Sequence, residues 1–365
     1  MSMETIALVM AGGRGLNLWP RSTEKRPKQF SHVSGDGTLI QNTVMRLMPF
    51  VPAEKIFVVT TSDMSALVRD QLPLIPSENV LVEPFGRNTA PCISLATMLL
   101  RRKFDDDTVM VTLPSDHVVS NVREFQVALD RAVAAAGELD GVVTLGIIPT
   151  RPEPAYGYIQ VGDTVESDNA MIRGRVADVR TFAEKPDAAT AQRFMDAGDF
   201  VWNSGIFVTR LGIMQRKLAA YLPDHAPLFA ALERHVGTES YEPELLQTYR
   251  QIRSVSFDTG VLEKARNVYV IEAAFGWSDV GTWDELYRLA MKDGKNNVIE
   301  GNVVTIGTTN SFVNATTGRV ISLVGVDNLV VIETEAAILI CPRGQTSNVR
   351  DVVELLRRRH ISMPL

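Results

Sequence analysis

The 365-residue sequence contains little cysteine and no long apolar run. Its two cysteines, Cys92 and Cys341, lie far apart, so we expect no disulfide framework and a reducing compartment. The apolar run at residues 6–10 is too short to span a bilayer. Residues 1–4 do not lead into the apolar region of a signal peptide. We therefore expect a cytoplasmic protein without a membrane partner.

Positive charge is also sparse. The formal net charge is −6, and the basic residues are scattered along the chain. A nucleic-acid surface usually carries a basic stripe, so we expect no nucleic-acid partner. Free nucleotides need only local positive groups, and this composition does not exclude them. The one basic run, at residues 357–359, suits the last turn of a helix, where cations complement the helix dipole.

Apolar strands alternate with amphipathic helical segments through the first half of the chain. Strands are predicted at residues 5–10, 56–60, 80–82, 109–113 and 142–145, and helices at 39–48, 88–100 and 124–136. This order indicates a parallel sheet that is covered by helices on both faces. We therefore predict a doubly wound, Rossmann-like α/β fold with a mainly parallel sheet.

The pattern changes in the second half. From residue 156 the regular alternation gives way to strands with intervening polar segments. We expect a mixed or antiparallel extension here that could hold a second substrate. The polar residues 292–297 indicate a linker, and short strands separated by Gly, Asn and Thr turns follow it. We predict a large domain at residues 1–292 and a small β-rich C-terminal domain at residues 300–365, which ends in a helix.

A glycine-rich loop, Ala11-Gly12-Gly13-Arg14-Gly15, follows the first strand. Its glycines would let a phosphate approach the backbone, whose N–H groups could form an anion cradle, although a tight turn explains them equally well. Leu18 stands where a dinucleotide fingerprint needs glycine, and the loop lacks the Gly-Lys-Ser/Thr of a Walker A motif. Lys28, which follows a proline, could reach a triphosphate; a surface lysine is the alternative.

Several segments occur together in the order of one known family. Residues 18–20 (LWP) and 27–30 (PKQF), placed after the glycine-rich loop, resemble the signature of sugar nucleotidyltransferases in the branch of the bacterial mannose-1-phosphate guanylyltransferases. The other matching segments are residues 83–84, 87–91, 114–117, 156–159, 182–186, 202–207 and 275–281. The resemblance implies the nucleotide-diphospho-sugar transferase type of fold. It also implies an enzyme that makes GDP-mannose and pyrophosphate from GTP and mannose 1-phosphate with Mg²⁺.

The resemblance assigns roles to individual residues. It places Arg14, Lys28 and Asp116 in catalysis, and Mg²⁺ on Asp116 and Asp279, although Asp279 could instead cap the helix that follows it. The residues expected to bind the nucleotide are Gly12, Gly13, Gly15, Lys28, Glu83, Arg87, Asn88 and Ser115. The residues expected to bind the sugar phosphate are Gly157, Glu184, Lys185 and Asn203. Glu83 could instead be an ordinary surface carboxylate. Glu184 and Lys185 could instead form an exposed ion pair.

One position departs from the motif. Asn17 stands where the motif has an arginine that would hold the triphosphate. The chain could be a slowed enzyme, Arg14 or Arg21 could supply the charge, or Asn17 could be a substitution introduced into an active enzyme. The alternatives to the guanylyltransferase are an enzyme for another hexose or heptose 1-phosphate and a catalytically weak regulatory homologue. A homodimer is compatible with the sequence, and a fused isomerase is not expected, because the chain ends soon after the β-rich segment.

Overall fold

The computed structural model describes residues 3–33 and 37–360, which separate into two compact units. The first unit comprises residues 3–12, 43–115 and 119–277. The second comprises residues 13–33, 37–42, 116–118 and 278–360. The loop after the first strand and the segment around Asp116 are thus grouped with the C-terminal residues. The single division near residues 292–300 that the sequence suggested stays a prediction.

The strands in chain order are β1 (Thr5–Met10), β2 (Ile56–Thr61), β3 (Val80–Glu83), β4 (Val109–Pro114), β5 (Val118–Val119), β6 (Val142–Ile147), β7 (Tyr158–Thr164), β8 (Ala177–Ala183), β9 (Phe200–Arg210), β10 (Val268–Ala273), β11 (Trp277–Ser278), β12 (Val298–Glu300), β13 (Val303–Ile306), β14 (Phe312–Ala315), β15 (Ile321–Val324), β16 (Leu329–Glu333) and β17 (Ile338–Pro342).

The α-helices in chain order are α1 (Leu39–Leu47), α2 (Ser65–Gln71), α3 (Thr89–Leu100), α4 (Val122–Glu138), α5 (Ala188–Ala197), α6 (Leu211–Tyr221), α7 (Ala226–Glu233), α8 (Tyr241–Gln251), α9 (Trp283–Leu289) and α10 (Val349–Arg358). Two short 3-10 turns, Leu16–Leu18 and Lys28–Phe30, follow the glycine-rich loop. A π-helix spans Asp258–Leu262.

The first unit contains a nine-stranded sheet in the order β3-β2-β1-β4-β9-β6-β10-β8-β7. β1 pairs in parallel with β2 and β4, and β10 with β6, while β9 runs antiparallel between β4 and β6. β2 and β6 are buried along their whole length, as expected of a sheet covered on both faces. The predicted doubly wound, mainly parallel α/β fold is confirmed, and β7 and β8 form its antiparallel extension.

Large apolar side chains fill the space between this sheet and its helices. Ile6, Leu8 and Phe57 on the strands belong to the same buried cluster as Ile93 on α3 and Leu211 on α6. Burying each such side chain contributes about 1.5–3 kcal/mol. The core therefore holds the strand ends in place, and the predicted ligand-binding loops of the first unit begin at those ends.

Short parallel strands form the body of the second unit. β12, β14 and β16 pair in parallel, β17 runs antiparallel beside β16, and β13 pairs in parallel with β15. Asn296, Asn310 and Asn328 adopt positive φ angles of 57°, 50° and 58°, which asparagine tolerates better than most residues, and they turn the chain between strands. The predicted β-rich C-terminal region that ends in a helix is confirmed.

An aromatic core ties the loop after β1 to the C-terminal strands within this unit. Trp283 is fully buried and packs edge-on against Phe312, with 5.8 Å between ring centroids. Its indole Nε1 donates to the backbone oxygen of Trp19 at 3.0 Å. Leu18 belongs to the same apolar cluster. Within residues 3–33 and 37–360, no helix has the length and apolar character needed to cross a bilayer.

Candidate functional site

The structure gathers most of the predicted site residues into three groups, each contained within one unit. The lysine cluster, in the second unit, consists of Lys28, Asp116 and Asp279. The acidic cluster, in the first unit, consists of Gly157, Glu184, Asn203 and Asp258, of which Asp258 has no sequence-based assignment. The Glu83 group, also in the first unit, consists of Glu83, Arg87 and Tyr249.

Lys28 joins the two aspartates that were predicted to bind a metal. Its side chain is 7% exposed, and its Nζ lies 2.8 Å from Asp116 Oδ2. The same Nζ donates to the backbone oxygen of Asp279 at 2.5 Å and to that of Val280 at 3.5 Å. The alternative of a surface lysine is therefore wrong, because the ammonium group is enclosed and bound by oxygens.

Asp116 is held in its charged form. Burial raises the pKa of Asp116, but the positive charges of Lys28 and His117 lower it, and the net pKa lies below the usual value. His117 Nε2 lies 3.9 Å from Asp116 Oδ1. The Asp116 side chain is still 31% exposed, so an ionised carboxylate remains accessible at neutral pH.

Asp279 lies in a strained bend and does not cap α9. The hydroxyl of Thr282 accepts from the backbone N–H of Glu285 at 3.2 Å and caps this helix instead. Asp279 Oδ1 accepts from the backbone N–H of Gly281 at 3.0 Å. Between them, the buried Val280 adopts φ +50°, which is an outlier for a β-branched residue and is typical of functional loops. The bend leaves the Asp279 carbonyl bonded to the Lys28 ammonium.

The lysine cluster has the donor chemistry of a magnesium site. Asp116 and Asp279 offer carboxylate oxygens, the ligands that Mg²⁺ prefers. In the described part of the chain, no three His, Cys, Asp or Glu side chains group in a way that could hold a metal ion. Mg²⁺ commonly binds one or two carboxylates and completes six ligands with phosphate oxygens and water. The residues therefore fit a Mg²⁺ ion that binds together with a phosphate ligand.

The three glycines of the loop have different surroundings. A Cβ added to Gly13 would meet no atom within 4 Å, so the backbone there is open to a ligand. Gln29 Nε2 donates to the Gly13 carbonyl at 2.8 Å and holds this part of the loop. Gly15 has φ +50°, and a Cβ there would lie 2.6 Å from Lys28 Cβ. A Cβ on Gly12 would lie 3.5 Å from Glu83 Oε2.

Arg14 and Asn17 lie in the segment where the sequence departs from the motif. Arg14 is 55% exposed, and its Nη1 lies 3.7 Å from Glu24 Oε1; Glu24 also pairs with Arg357. Asn17 is half-buried in the turn Leu16–Leu18. The structure therefore leaves the Arg14 guanidinium accessible, whereas Asn17 is constrained by its turn.

Backbone and side-chain contacts bring the predicted sugar-phosphate residues together. The backbone N–H of Asn203 donates to the Gly157 carbonyl at 2.8 Å. A Cβ added to Gly157 would lie 2.6 Å from Glu184 Oε2 and 3.3 Å from Asn203 Cβ, so a larger residue there would displace the Glu184 carboxylate. Gly157, Glu184 and Asn203 thus share one small volume.

Among the residues predicted to bind the sugar phosphate, Lys185 is the exposed one. Both Glu184 and Lys185 lie beyond the end of β8, where the alternation of strand faces no longer applies. Lys185 has φ +47°, is 64% exposed, and places its Nζ 3.3 Å from Glu184 Oε1. The ion pair exists, as the simpler interpretation expects, and the ammonium group is still accessible to an anionic ligand.

Asp258 is the residue that the motifs did not reveal. Asn203 Nδ2 donates to Asp258 Oδ1 at 2.8 Å. Burial and the negative charge of Glu184 together raise the pKa of Asp258 to about 6. Asp258 begins the π-helix, and π-helical turns are frequent at functional sites. The available signal in the sequence was that Asp258 is the one charged residue of the segment 254–262 (SVSFDTGVL).

Glu83 is buried rather than on the surface, with 2% of its area exposed. Its Oε1 accepts from the Tyr249 hydroxyl at 2.9 Å. Burial raises the pKa of Glu83 to about 7, although hydrogen bonds from Tyr249 and Cys92 act in the opposite direction. Glu83 is therefore fixed by neutral partners, and its role in binding a base stays a prediction.

The other predicted nucleotide residues lie around this group or at a strand end. Arg87 Nε donates to the backbone oxygen of Tyr249 at 3.1 Å, and its guanidinium lies 5.0 Å from the centre of the Phe85 ring. Asn88 is exposed with φ 72°, and its side chain accepts from the backbone N–H of Thr89 at the start of α3. Ser115 is buried, and its backbone N–H donates to Met10. These contacts position the backbone, and no ligand role follows from them alone.

Comparisons with known proteins cover almost the whole chain. A family model described as nucleotidyl transferase matches residues 6–296, and one described as a mannose-phosphate isomerase/GMP-like beta-helix domain matches residues 301–356. The mannose-1-phosphate guanylyltransferase of Escherichia coli strain K12 is 36% identical over 96% of this chain and 73% of its own length.

A second relative and a solved structure agree with this match. The alginate biosynthesis protein AlgA of Pseudomonas aeruginosa is 35% identical over 96% of this chain and 71% of its own length. The crystal structure of mannose-1-phosphate geranyltransferase from Thermus thermophilus superimposes with a TM-score of 0.86 at 35% identity, and it covers 97% of this chain and 100% of that one.

Proposed function

Because this chain belongs to the nucleotidyl transferase family and to its mannose-1-phosphate guanylyltransferases, we propose that it transfers a guanylyl group from GTP to mannose 1-phosphate. The products are GDP-mannose and pyrophosphate. The observation that carries this proposal is the likeness to guanylyltransferases along nearly the entire chain, which includes the segments with Lys28, Asp116 and Glu184. The family recognised from the sequence motifs is thereby confirmed.

The chemistry needs positioning and charge neutralisation more than proton transfer. An oxygen of the sugar phosphate attacks the α-phosphorus of GTP in line, and the bond to the pyrophosphate leaving group breaks. The attacking oxygen is already ionised near neutral pH, so no general base is required. Lys28, Lys185 and the open backbone at Gly13 supply positive or N–H groups suited to phosphate oxygens.

We assign Mg²⁺ to Asp116 and Asp279. When bound, the ion would offset negative charge on the phosphates in the transition state. The low pKa of Asp116 keeps this ligand ionised over the range in which such an enzyme works. The Lys28 ammonium contacts both Asp116 and the Asp279 carbonyl and so holds these two residues, which would bind the ion, in place.

The acidic cluster suits the hydroxyl groups of a hexose. Glu184 and Asp258 can accept hydrogen bonds from hydroxyls, and Asn203 can both donate and accept. Asn203 is already oriented because its Oδ1 accepts from the Gly205 N–H at 3.1 Å while its Nδ2 donates to Asp258. Lys185, next to Glu184, supplies a cation for the phosphate of the same sugar.

We also propose that the protein is cytoplasmic and forms a homodimer. Cys92 and Cys341 are both free thiols, as expected in a reducing compartment. On the second unit, the neighbouring strands β13 and β15 expose Val304, Ile306 and Val324, whose exposures of 52%, 64% and 66% form an apolar patch suited to a second copy of the chain. Sedimentation of the wild-type chain and of Ile306→Lys tests this: a dimer that dissociates in the variant supports it, and a wild-type monomer contradicts it.

The deciding experiment for the activity is pyrophosphate release with each of the four NTPs against mannose, glucose and galactose 1-phosphates. We expect GTP with mannose 1-phosphate to give the highest kcat/KM. A preference for another hexose 1-phosphate would keep the reaction class and change the substrate. Nucleotide binding without turnover for any pair would contradict the enzyme and support the regulatory alternative, which is favoured by Asn17 at the position of the motif arginine.

A further inference from the structure

A second cavity lies in the second unit, and no residue of the lysine cluster lines it. Its volume is about 440 Å³, which falls in the range of small-molecule sites. One part of its lining comes from the chain between Pro20 and His32, and the other from Thr316 and residues 334–336. The cavity therefore has the size of a ligand site, and no role in the proposed reaction accounts for it.

Arg21 brings an unbalanced positive charge to this cavity. Its side chain is half-buried, and the structure gives its guanidinium no hydrogen bond and no ion pair within 4.0 Å among the described residues. Burial lowers the pKa of Arg21, the negative charge of Glu300 raises it, and the positive charge of Arg26 lowers it again; the net pKa is below the usual value. A guanidinium group that is desolvated without a partner is unfavourable unless an anion binds to it.

Further donors line the same cavity. Arg26 uses its Nε to donate to the Phe30 carbonyl at 3.3 Å, and no other hydrogen bond of its guanidinium is found in the described part of the chain. His32 is exposed at the cavity. Ser31 is 4% exposed, and its buried hydroxyl has no hydrogen-bond partner among the described residues. Buried hydroxyls are normally bonded, so Ser31 is a second group without its expected partner.

The remaining lining is suited to hydroxyl groups. Glu335 is an exposed carboxylate at the cavity and can accept hydrogen bonds. The hydroxyls of Thr316 and Thr334 donate to the backbone oxygens of Glu333 and Ala337, at 2.9 and 3.2 Å. The Thr334 hydroxyl also accepts from the backbone N–H of Ala337 at 3.2 Å, so the Thr316 hydroxyl is the better acceptor for a ligand. The cavity thus combines an anion-binding part with a part that accepts hydrogen bonds.

We propose that this cavity is a second ligand site, which binds a phosphate monoester of a small polyol such as a hexose 6-phosphate. The phosphate group binds Arg21 and Arg26, whose planar guanidinium groups match phosphate oxygens in pairs, and the Ser31 hydroxyl lies beside it. The carboxylate of Glu335 accepts from the hydroxyls of the polyol. This site does not depend on the proposed transfer reaction, because its lining includes none of the residues to which the resemblance assigns a role; Arg21 enters that reaction only as an alternative source of the charge that Asn17 lacks.

Calorimetric titration with glucose 6-phosphate tests the site, with inorganic phosphate as a second probe. We expect the wild-type chain to bind both probes and Arg21→Gln to weaken binding at least tenfold. Arg350→Gln removes an exposed arginine of α10 in the same unit and should leave binding within twofold of the wild type. Equal binding by the wild type and Arg21→Gln overturns the proposal, as does a wild type that binds neither probe.

Thermal unfolding and kinetics test whether Arg21→Gln weakens ligand binding only indirectly, through the fold or through the substrate site. Without ligand, Arg21→Gln should unfold at a temperature no lower than the wild type, because the substitution removes an unpaired, half-buried charge. Glucose 6-phosphate should raise the unfolding temperature of the wild type and of Arg350→Gln, but not that of Arg21→Gln. The KM values of GTP and mannose 1-phosphate should stay within twofold. A tenfold rise in the KM of GTP in Arg21→Gln would place Arg21 in the substrate site and would contradict the proposal of a separate ligand site.

Discussion

The lysine cluster and the acidic cluster place carboxylates in opposite electrostatic surroundings. In the lysine cluster, the ammonium of Lys28 contacts Asp116, and the pKa of Asp116 lies below its usual value in spite of burial. In the acidic cluster, Asp258 accepts from the neutral amide of Asn203, and the nearby Glu184 adds a like charge to the effect of burial, so the pKa of Asp258 rises to about 6. Burial raises the pKa in both cases, so the charges of the neighbouring groups account for the opposite net directions.

This difference separates two chemical tasks. A carboxylate with a low pKa stays ionised and can bind a metal ion throughout the neutral range. A carboxylate with a raised pKa is short of positive charge and favours ligands that donate hydrogen bonds, as sugar hydroxyls do. Substitutions in the two clusters therefore test whether the lysine cluster binds a metal ion and whether the acidic cluster binds sugar hydroxyls.

The largest effect should follow from loss of a charge in the lysine cluster. Asp116→Asn or Asp279→Asn should lower turnover by at least ~10²-fold, because each substitution weakens the binding of the ion that stabilises the transition state. Circular dichroism should show little change in folding. Asp351→Asn, which changes an exposed aspartate on α10, should keep full activity. Full Mg²⁺-dependent turnover in either cluster variant would contradict a shared metal site.

Adding a positive charge near the glycine-rich loop should raise turnover instead of lowering it. We expect Asn17→Arg to raise kcat about tenfold, since a lost transition-state contact of this kind typically costs ~3–4 kcal/mol and part of it should be restored. Arg14→Ala is the companion variant, because Arg14 is the exposed arginine of the loop. No gain in Asn17→Arg together with a collapse of activity in Arg14→Ala would show that Arg14 already supplies the missing charge.

In the acidic cluster, the effect on the sugar substrate should be smaller. Asp258→Asn keeps an oxygen that can accept from Asn203 but removes the negative charge. We expect the KM of mannose 1-phosphate to rise about fivefold with kcat little changed, since the asparagine oxygen still accepts and a loss of ~1 kcal/mol is the size of one ordinary hydrogen bond. The KM of GTP should not change. An equal rise in both KM values would indicate a general structural role.

The same variant should change the dependence of stability on pH. Asp258 has a pKa of about 6 in the folded chain against 3.8 in the unfolded state, so the folded state binds the proton more tightly. Its contribution to stability is complete below pH 3.8 and is lost as the pH rises to about 6. Asp258→Asn should therefore gain up to ~3 kcal/mol relative to the wild type between pH 4 and pH 7, measured by urea unfolding. Asp168→Asn, an exposed control, should show no such trend.

Glu83 is a third case, a buried carboxylate with neutral partners. If it accepts from the N1–H and amino groups of guanine, Glu83→Gln should narrow the preference for GTP over ITP by about threefold, since ITP lacks the amino group. The kcat/KM ratio of the two nucleotides measures this effect. Glu78→Gln, which changes an exposed glutamate in the turn Ser77–Asn79, is the matched control. A GTP/ITP ratio that does not change would leave the backbone as the group that recognises the base.

Periodicity and motif order predicted much of the fold. Strand β1 has the bounds that the apolar run indicated, and α3 starts at Thr89 behind Asn88 as expected. These features are local, because apolar spacing, a capping side chain and a proline in the first turn act within a few residues. The grouping of residues 13–33 and 37–42 with the C-terminal strands was not local: it rests on Trp283, which packs within the second unit and bonds to Trp19.

The sequence by itself determined the family and the α/β and β-rich regions, because these follow from residue types at fixed spacings; the roles of the site residues stay predictions. Only the tertiary structure decided which charges meet. It placed Lys28 between Asp116 and the Asp279 carbonyl, joined Asp258 to Asn203, and enclosed Glu83 with Tyr249. A pKa depends on partners within a few ångströms, and those partners lie tens to hundreds of residues away along the chain.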